Sequence, residues 1–107
     1  MQRGEVFRLR PPRGTRGHEQ AGQRYGVVVQ ADELLRLSTV IIAPTSTRAL
    51  PASFRPEVVI AREPTRVLVE HLGAVDPNRL GESHGLLGFE ELREVDRALL
   101  AVLGLER

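Results

Sequence analysis

Ser38-Thr39-Val40-Ile41-Ile42-Ala43-Pro44 is the stretch that decides the fold. Its β-branched residues run on without polar alternation, the pattern of a strand buried on both faces and therefore central in a sheet. Pro44 is expected to stop it, because proline cannot donate to a ladder. Upstream, Tyr25-Gly26-Val27-Val28-Val29-Gln30 reads as a second valine-rich strand, and Asp32 to Leu37 as one helical turn or a loop crossing. Further back, Glu5-Val6-Phe7-Arg8-Leu9-Arg10 alternates polar and apolar residues with the period of a half-buried strand, ended by Pro11-Pro12. Downstream, Phe54 to Ile60 predicts a fourth strand with Pro56 at an edge or its start. Arg66 to Glu70 predicts a fifth, running on toward Leu72. Asp76-Pro77-Asn78-Arg79 predicts a turn or short helix, and Leu86-Leu87-Gly88 a last short strand.

From Phe89 onward the period changes. Phe89, Leu92, Val95, Leu99, Val102 and Leu103 recur at steps of three and four, with Glu90, Glu91, Arg93, Glu94, Asp96 and Arg97 on the other face. This predicts an amphipathic helix packed on the sheet, with Gly104 at its end. Short strands followed by one helix predict a mainly β or α+β fold: a small, strongly bent antiparallel sheet or barrel. There is no internal repeat.

The chain has 107 residues, the length of one domain, and 41% of them are hydrophobic, enough for a core. Without cysteine, disulfides, thiolate metal sites and cysteine nucleophiles are excluded. The start lacks an apolar stretch and no run is long enough to span a membrane, so a cytoplasmic protein is expected. The net charge of +1 hides an asymmetry. Residues 1–24 carry six arginines against two acids, a net of +4, whereas residues 63–107 carry five against nine, a net of −4. All fifteen basic residues are arginine, whose planar fork suits phosphate oxygens.

Two segments carry candidate chemistry. The first is the loop from Arg10 to Arg24, where Arg10, Arg13, Arg16 and Arg24 surround glycines at 14, 17 and 22. Glycines allow close backbone approach and the arginines supply charge-assisted donors, so an anionic partner is expected, RNA foremost. Glu19 and His18 in the same loop could move protons. The bland reading is a solvated loop with scattered charge. The second segment, Pro44-Thr45-Ser46-Thr47-Arg48, places three hydroxyls and an arginine at a strand end. These could bind phosphate, or merely cap a turn. His18, His71 and His84 show no metal-ligand spacing, so no metal or other cofactor is expected; His71 and His84 are read as structural or surface residues. Four aromatic residues are too few for a base-stacking platform.

The order of these motifs resembles a known family. Arg3-Gly4-Glu5-Val6, Pro12-Arg13-Gly14 and Glu19-Gln20-Ala21-Gly22-Gln23-Arg24 come first. Val27-Val28-Val29-Gln30-Ala31-Asp32, Ile42-Ala43-Pro44-Thr45-Ser46-Thr47 and Val67-Leu68-Val69-Glu70-His71-Leu72-Gly73-Ala74-Val75-Asp76 follow, and Leu92-Arg93-Glu94-Val95-Asp96-Arg97-Ala98-Leu99-Leu100 closes the set. Together they resemble the MazF/PemK (Kid, CcdB-like) toxins of type II toxin–antitoxin systems, over nearly the whole chain. The resemblance implies a single domain over residues 1–107, a small SH3-like antiparallel barrel with a C-terminal helix, assembled as a homodimer. It further implies a metal-independent, sequence-selective endoribonuclease acting on single-stranded RNA and silenced by a cognate antitoxin with an acidic, disordered tail. Within that family pattern the catalytic arginine falls on Arg24, the catalytic hydroxyl on Ser46 and the loop glutamate on Glu19. Arg13, Arg16, His18, Gln20, Thr45, Thr47 and Arg48 are the implied RNA contacts. The chain carries His18 where serine is usual, Tyr25-Gly26 where proline follows the arginine, and Ser46 where threonine is usual.

The chemistry this implies is attack of the 2′-hydroxyl on the adjacent phosphate, leaving a 2′,3′-cyclic phosphate and a 5′-hydroxyl. Arg24 would stabilise the phosphorane, Ser46 would hydrogen-bond the phosphate, and Glu19 or His18 would serve as base. Two alternatives stand beside it: a non-nucleolytic toxin on the same fold that binds a protein target such as DNA gyrase, and a binding barrel without catalysis.

Overall fold

A computed structural model describes residues 1–11 and 24–106. Seven strands are seen among them: β1 (Glu5–Leu9), β2 (Tyr25–Val28), β3 (Val40–Ser46), β4 (Glu57–Ile60), β5 (Glu63–Val67), β6 (Gly73–Val75) and β7 (Leu80–Leu86). One helix, α1 (Phe89–Val102), follows. All pairings are antiparallel, in the order β4-β5-β3-β2-β1-β7, with β6 also pairing β3. The sheet curls into a half-barrel with the helix against one face.

β3 is central, as its apolar run predicts, but it does not stop at Pro44. One edge pairs β2 from Ile42 to Pro44; the other pairs β6 at Val40–Ile42 and β5 at Thr45–Ser46. Pro44 sits where β3 changes partners from β6 to β5. Its carbonyl accepts from Leu68 N at 2.7 Å, so the missing N–H would also have pointed to that edge, into the gap between the two partners. The proline therefore removes no bond to β2, and the strand runs on to Ser46.

Because β2 and β3 are covered on both sides, two apolar clusters form. Odd-numbered residues Val27 and Ala43 join Val6, Val67, Val69, Val95 and Ala98 under α1. Even-numbered residues Val28, Val40 and Ile42 join Leu80, with Phe7, Leu9, Leu35 and Val75 packed against them on the opposite face. Gly26 belongs to this second face, and a Cβ there would lie 3.1 Å from Leu9 Cδ2 and 3.2 Å from Ile42 Cδ1. Gln30, only 6% exposed, carries the ladder past the end of β2: its Oε1 accepts from Ile41 N at 3.0 Å and its Nε2 donates to Leu34 O at 2.6 Å.

The C-terminal half departs further from the sequence pattern. The fifth strand lies at Glu63–Val67 rather than from Arg66 onward, and Val69–His71 forms a 3-10 turn. β6 and most of β7 carry no strand signal, since β7 is exposed along Glu82–Leu86 and buries only Leu80. In the α1 stripe, Val95 and Ala98 are buried and Leu92, Leu99 and Val102 pack beside them. Phe89, expected in that stripe, is 73% exposed with the Arg93 guanidinium 5.7 Å from its ring centre, and Leu103 is exposed too. Leu103 lies past the last turn as the C-cap residue, and the first turn leaves Phe89 exposed. Glu91 fixes that turn: Oε1 accepts from Gly88 N at 2.9 Å and Oε2 from Val59 N at 2.8 Å. Gly104, at φ +69°, closes the helix, with Leu105 N donating to Leu100 O at 2.8 Å. No helix among the described residues is long and apolar enough to cross a membrane.

Candidate RNA-binding cleft

The alternation of β2 and β3 decides which side chains meet. Even-numbered residues of both strands point to the face opposite α1. Continuing the register Gly26↔Pro44 by two residues brings Arg24 opposite Ser46, on that same face. Arg24 is exposed there, and its carbonyl accepts from Leu9 N at 2.8 Å, which ties it to β1 as well. Ser46 Oγ accepts from Arg48 N at 3.2 Å, a local turn bond that leaves its own hydroxyl hydrogen able to donate.

Beside this pair lies a cleft of about 320 Å³. Its floor is apolar, built from Leu9, Ile42, Pro44 and Val75, and a Cβ on Gly26 would press on the Leu9 and Ile42 side chains. Arg10, Arg24, Arg79 and His71 form the rim, and no carboxylate appears among the described lining residues. Arg10 and Arg79 hold each other through main-chain groups. Arg10 N donates to Arg79 O at 2.8 Å, Arg79 Nε donates to Arg10 O at 2.7 Å, and Arg10 Nη1 donates to Asn78 O at 2.7 Å. The Asp76–Arg79 turn that positions Arg79 is capped by Asp76 Oδ1, which accepts from Asn78 N at 2.8 Å. A second hollow of about 420 Å³, lined by Arg10, Pro11, Asp76, Asn78 and Arg79, shares three of these residues and continues the trough. Three guanidinium groups over an apolar floor suit a phosphodiester with its sugar or base beneath.

The remaining expected site residues fall in three groups. Thr47 and Arg48 are exposed on the turn after β3. Thr45 points the other way: it is 2% exposed and its Oγ1 accepts from Tyr25 N at 3.3 Å, so it fastens β3 to β2 instead of facing solvent. Arg13, Arg16, His18, Glu19 and Gln20 lie outside the described residues. The segment that carries them joins Pro11 to Arg24, and both of those residues line the cleft.

Sequence reasoning missed Arg79 and His71. Arg79 could have been suspected from its place in the Asp-Pro-Asn-Arg turn. His71, read as a structural or surface residue, stands on the cleft rim, and its Nε2 lies 3.7 Å from Glu70 Oε2. His84 is on the other face, edge-on to Tyr25 with ring centres 4.9 Å apart. Glu70 is in turn held by Arg55, whose Nε and Nη2 both reach Oε2 at 2.7 Å. Burial works to raise the Glu70 carboxyl, but the Arg55 hydrogen bonds, a backbone bond and the neighbouring charges outweigh it, leaving the group below its ordinary value. No three His, Asp or Glu side chains come together as a metal site among the described residues.

Comparison with known proteins shows the family and the fold. A profile of the family described as PemK-like, MazF-like toxin of type II toxin–antitoxin systems matches residues 2–103. A Mycobacterium tuberculosis protein named as a candidate toxin is 36% identical over 104 residues, covering 96% of this chain and 97% of that protein. Among solved structures, a mycobacterial endoribonuclease in complex with its cognate antitoxin superposes with a TM-score of 0.82 over 100% of this chain and 98% of that one, at 16% identity. A MazE–MazF complex from Deinococcus radiodurans gives 0.74 over 99% and 97% at 25% identity. The chain belongs to the PemK-like, MazF-like family of type II toxins.

Proposed function

We propose that this protein is a cytoplasmic, metal-independent endoribonuclease that cuts single-stranded RNA at selected sequences, acts as one domain in a homodimer, and is silenced by a cognate antitoxin. The observation that carries the reading is the convergence of Arg24 with Arg10 and Arg79 on one cleft free of described carboxylates, with Ser46 at the end of β3, two residues beyond the cleft-lining Pro44. Endoribonuclease and antitoxin-bound neighbours on the same fold support it.

In the reaction, the 2′-oxygen attacks the adjacent phosphorus while the bond from phosphorus to the 5′-oxygen breaks. Arg24 stabilises the added negative charge and can protonate the leaving oxygen; Ser46 donates to a non-bridging oxygen. For the base, the segment from residue 12 to 23 offers Glu19, with His18 as the alternative. Thr47, Arg48, Arg13, Arg16 and Gln20 hold flanking nucleotides, and Thr45 keeps β2 and β3 in register beneath them. An acidic antitoxin tail would compete for the same arginines.

The test is incubation of purified protein with long RNAs in the presence of a chelator, followed by mapping of 5′-hydroxyl ends. The reading requires cuts at recurrent sequences. Intact RNA at high protein concentration, with the antitoxin absent, would overturn it and favour a toxin that acts by binding a protein.

A further inference from the structure

Inside the cleft one group is left without a task. His71 stands on the rim with the three arginines, 59% exposed, on the 3-10 turn after β5. Its Nε2 faces Glu70 Oε2 at 3.7 Å, a gap that a shift of less than about 1 Å closes to a hydrogen bond. Glu70 is not free to follow the imidazole, since Arg55 grips Oε2 with two N–H groups. Its Oε1 is buried with no hydrogen-bond partner among the described residues, so the carboxylate has unspent accepting capacity. A fixed carboxylate that receives one imidazole N–H sets the tautomer and leaves the other ring nitrogen as a proton acceptor.

We propose that His71, oriented by Glu70, takes the 2′-hydroxyl proton in RNA cleavage, in place of Glu19 or His18. This rests on the endoribonuclease reading above. The proton passes from the 2′-oxygen to Nδ1 of neutral His71, the bond from the 2′-oxygen to phosphorus forms, and the bond from phosphorus to the 5′-oxygen breaks. The leaving oxygen takes a proton from Arg24 or water, and the imidazolium then returns its proton to solvent. Glu70 touches no substrate and is a positioning residue. Among the described residues, the charged groups that share the cleft with His71 or contact it are Glu70 on its own turn, Arg10 after β1, Arg24 before β2 and Arg79 before β7, with Arg55 behind Glu70.

The experiment uses an oligoribonucleotide spanning a site that wild type cuts in a long mixed-sequence transcript. Wild-type kcat/KM should fall on the acid side with a limb in the imidazole range, between about pH 5 and 8. His71→Gln should lower kcat by about 10²-fold or more with KM within a few-fold, and remove that limb. His71→Ala should regain rate on addition of imidazole. Glu70→Gln should lower kcat and shift the limb, whereas Glu19→Gln and His18→Gln should leave it in place. The proposal is overturned if His71→Gln keeps its limb, changes only KM, or cuts as fast as wild type. It is likewise overturned if Glu19→Gln abolishes the limb, or if imidazole restores nothing. Should wild type cut no RNA at all, the endoribonuclease reading fails first, which separates the two outcomes.

Discussion

Arg24 and Ser46 each lie two residues beyond Gly26 and Pro44, the pair at which the β2–β3 register ends. They stand 22 positions apart in sequence, yet two further steps of the Gly26↔Pro44 register would set them opposite each other. The relationship depends on β3 continuing past Pro44, because a strand ending there would leave Ser46 in a loop.

The hydroxyl is expected to matter more than the side chain's exact shape. Ser46→Ala should lower kcat by about 10- to 100-fold, the range for losing a hydrogen bond to a charged group. Ser46→Thr should keep most of the activity. Steady-state cleavage of one defined oligoribonucleotide checks both, and an unimpaired Ser46→Ala would remove Ser46 from the chemistry.

A second prediction concerns stability alone. The β4–β5 hairpin turns on Ala61 and Arg62, both in the left-handed region at φ 53° and 67°, between the paired Ile60 and Glu63. That is the backbone of a two-residue turn favouring Asn-Gly. Non-glycine residues pay about 1–2 kcal/mol each there. Ala61→Asn with Arg62→Gly should stabilise the protein by about 1–2 kcal/mol, seen as a higher urea midpoint at unchanged slope. A lower midpoint would show that the native residues relieve the strain in some other way.

Much of the fold was readable because burial imposes a period. The continuous run of β3 and the three- and four-residue steps of α1 each encode the face they bury. β7 was largely lost because Glu82, Ser83 and His84 are exposed at a sheet edge and leave no apolar pattern. Phe89 fits the helical period but lies in the first turn of α1, which Glu91 fixes, and that turn leaves its ring in solvent. In the site, Arg24 and Ser46 could be named from their motifs, while Arg79 and His71 enter the cleft only through the path of the chain from β5 to β7. Thr45 shows the reverse: adjacent to Ser46 in sequence, it points into the sheet because side chains alternate.

The Arg55–Glu70 pair predicts a pH dependence of stability. With the folded carboxyl below its ordinary value, the unfolded chain binds that proton at the higher pH. The contribution is therefore complete above the ordinary carboxylate range, near about 4.3, and is lost as pH falls through the folded value. Glu70→Gln should cost about 1–2 kcal/mol at pH 7, and the difference from wild type should shrink below about pH 4. Denaturation at both pH values measures it; a difference independent of pH would mean that the charge of Glu70 contributes nothing.

The central claim is that the cleft beside Arg24 cleaves RNA. The most direct measurement compares 5′-hydroxyl ends produced by wild type and by Arg24→Ala from the same long RNA, with folding checked by circular dichroism. The account predicts recurrent cuts by wild type and a loss of about 10²- to 10³-fold in the folded variant. Equal cleavage by the two proteins would contradict it.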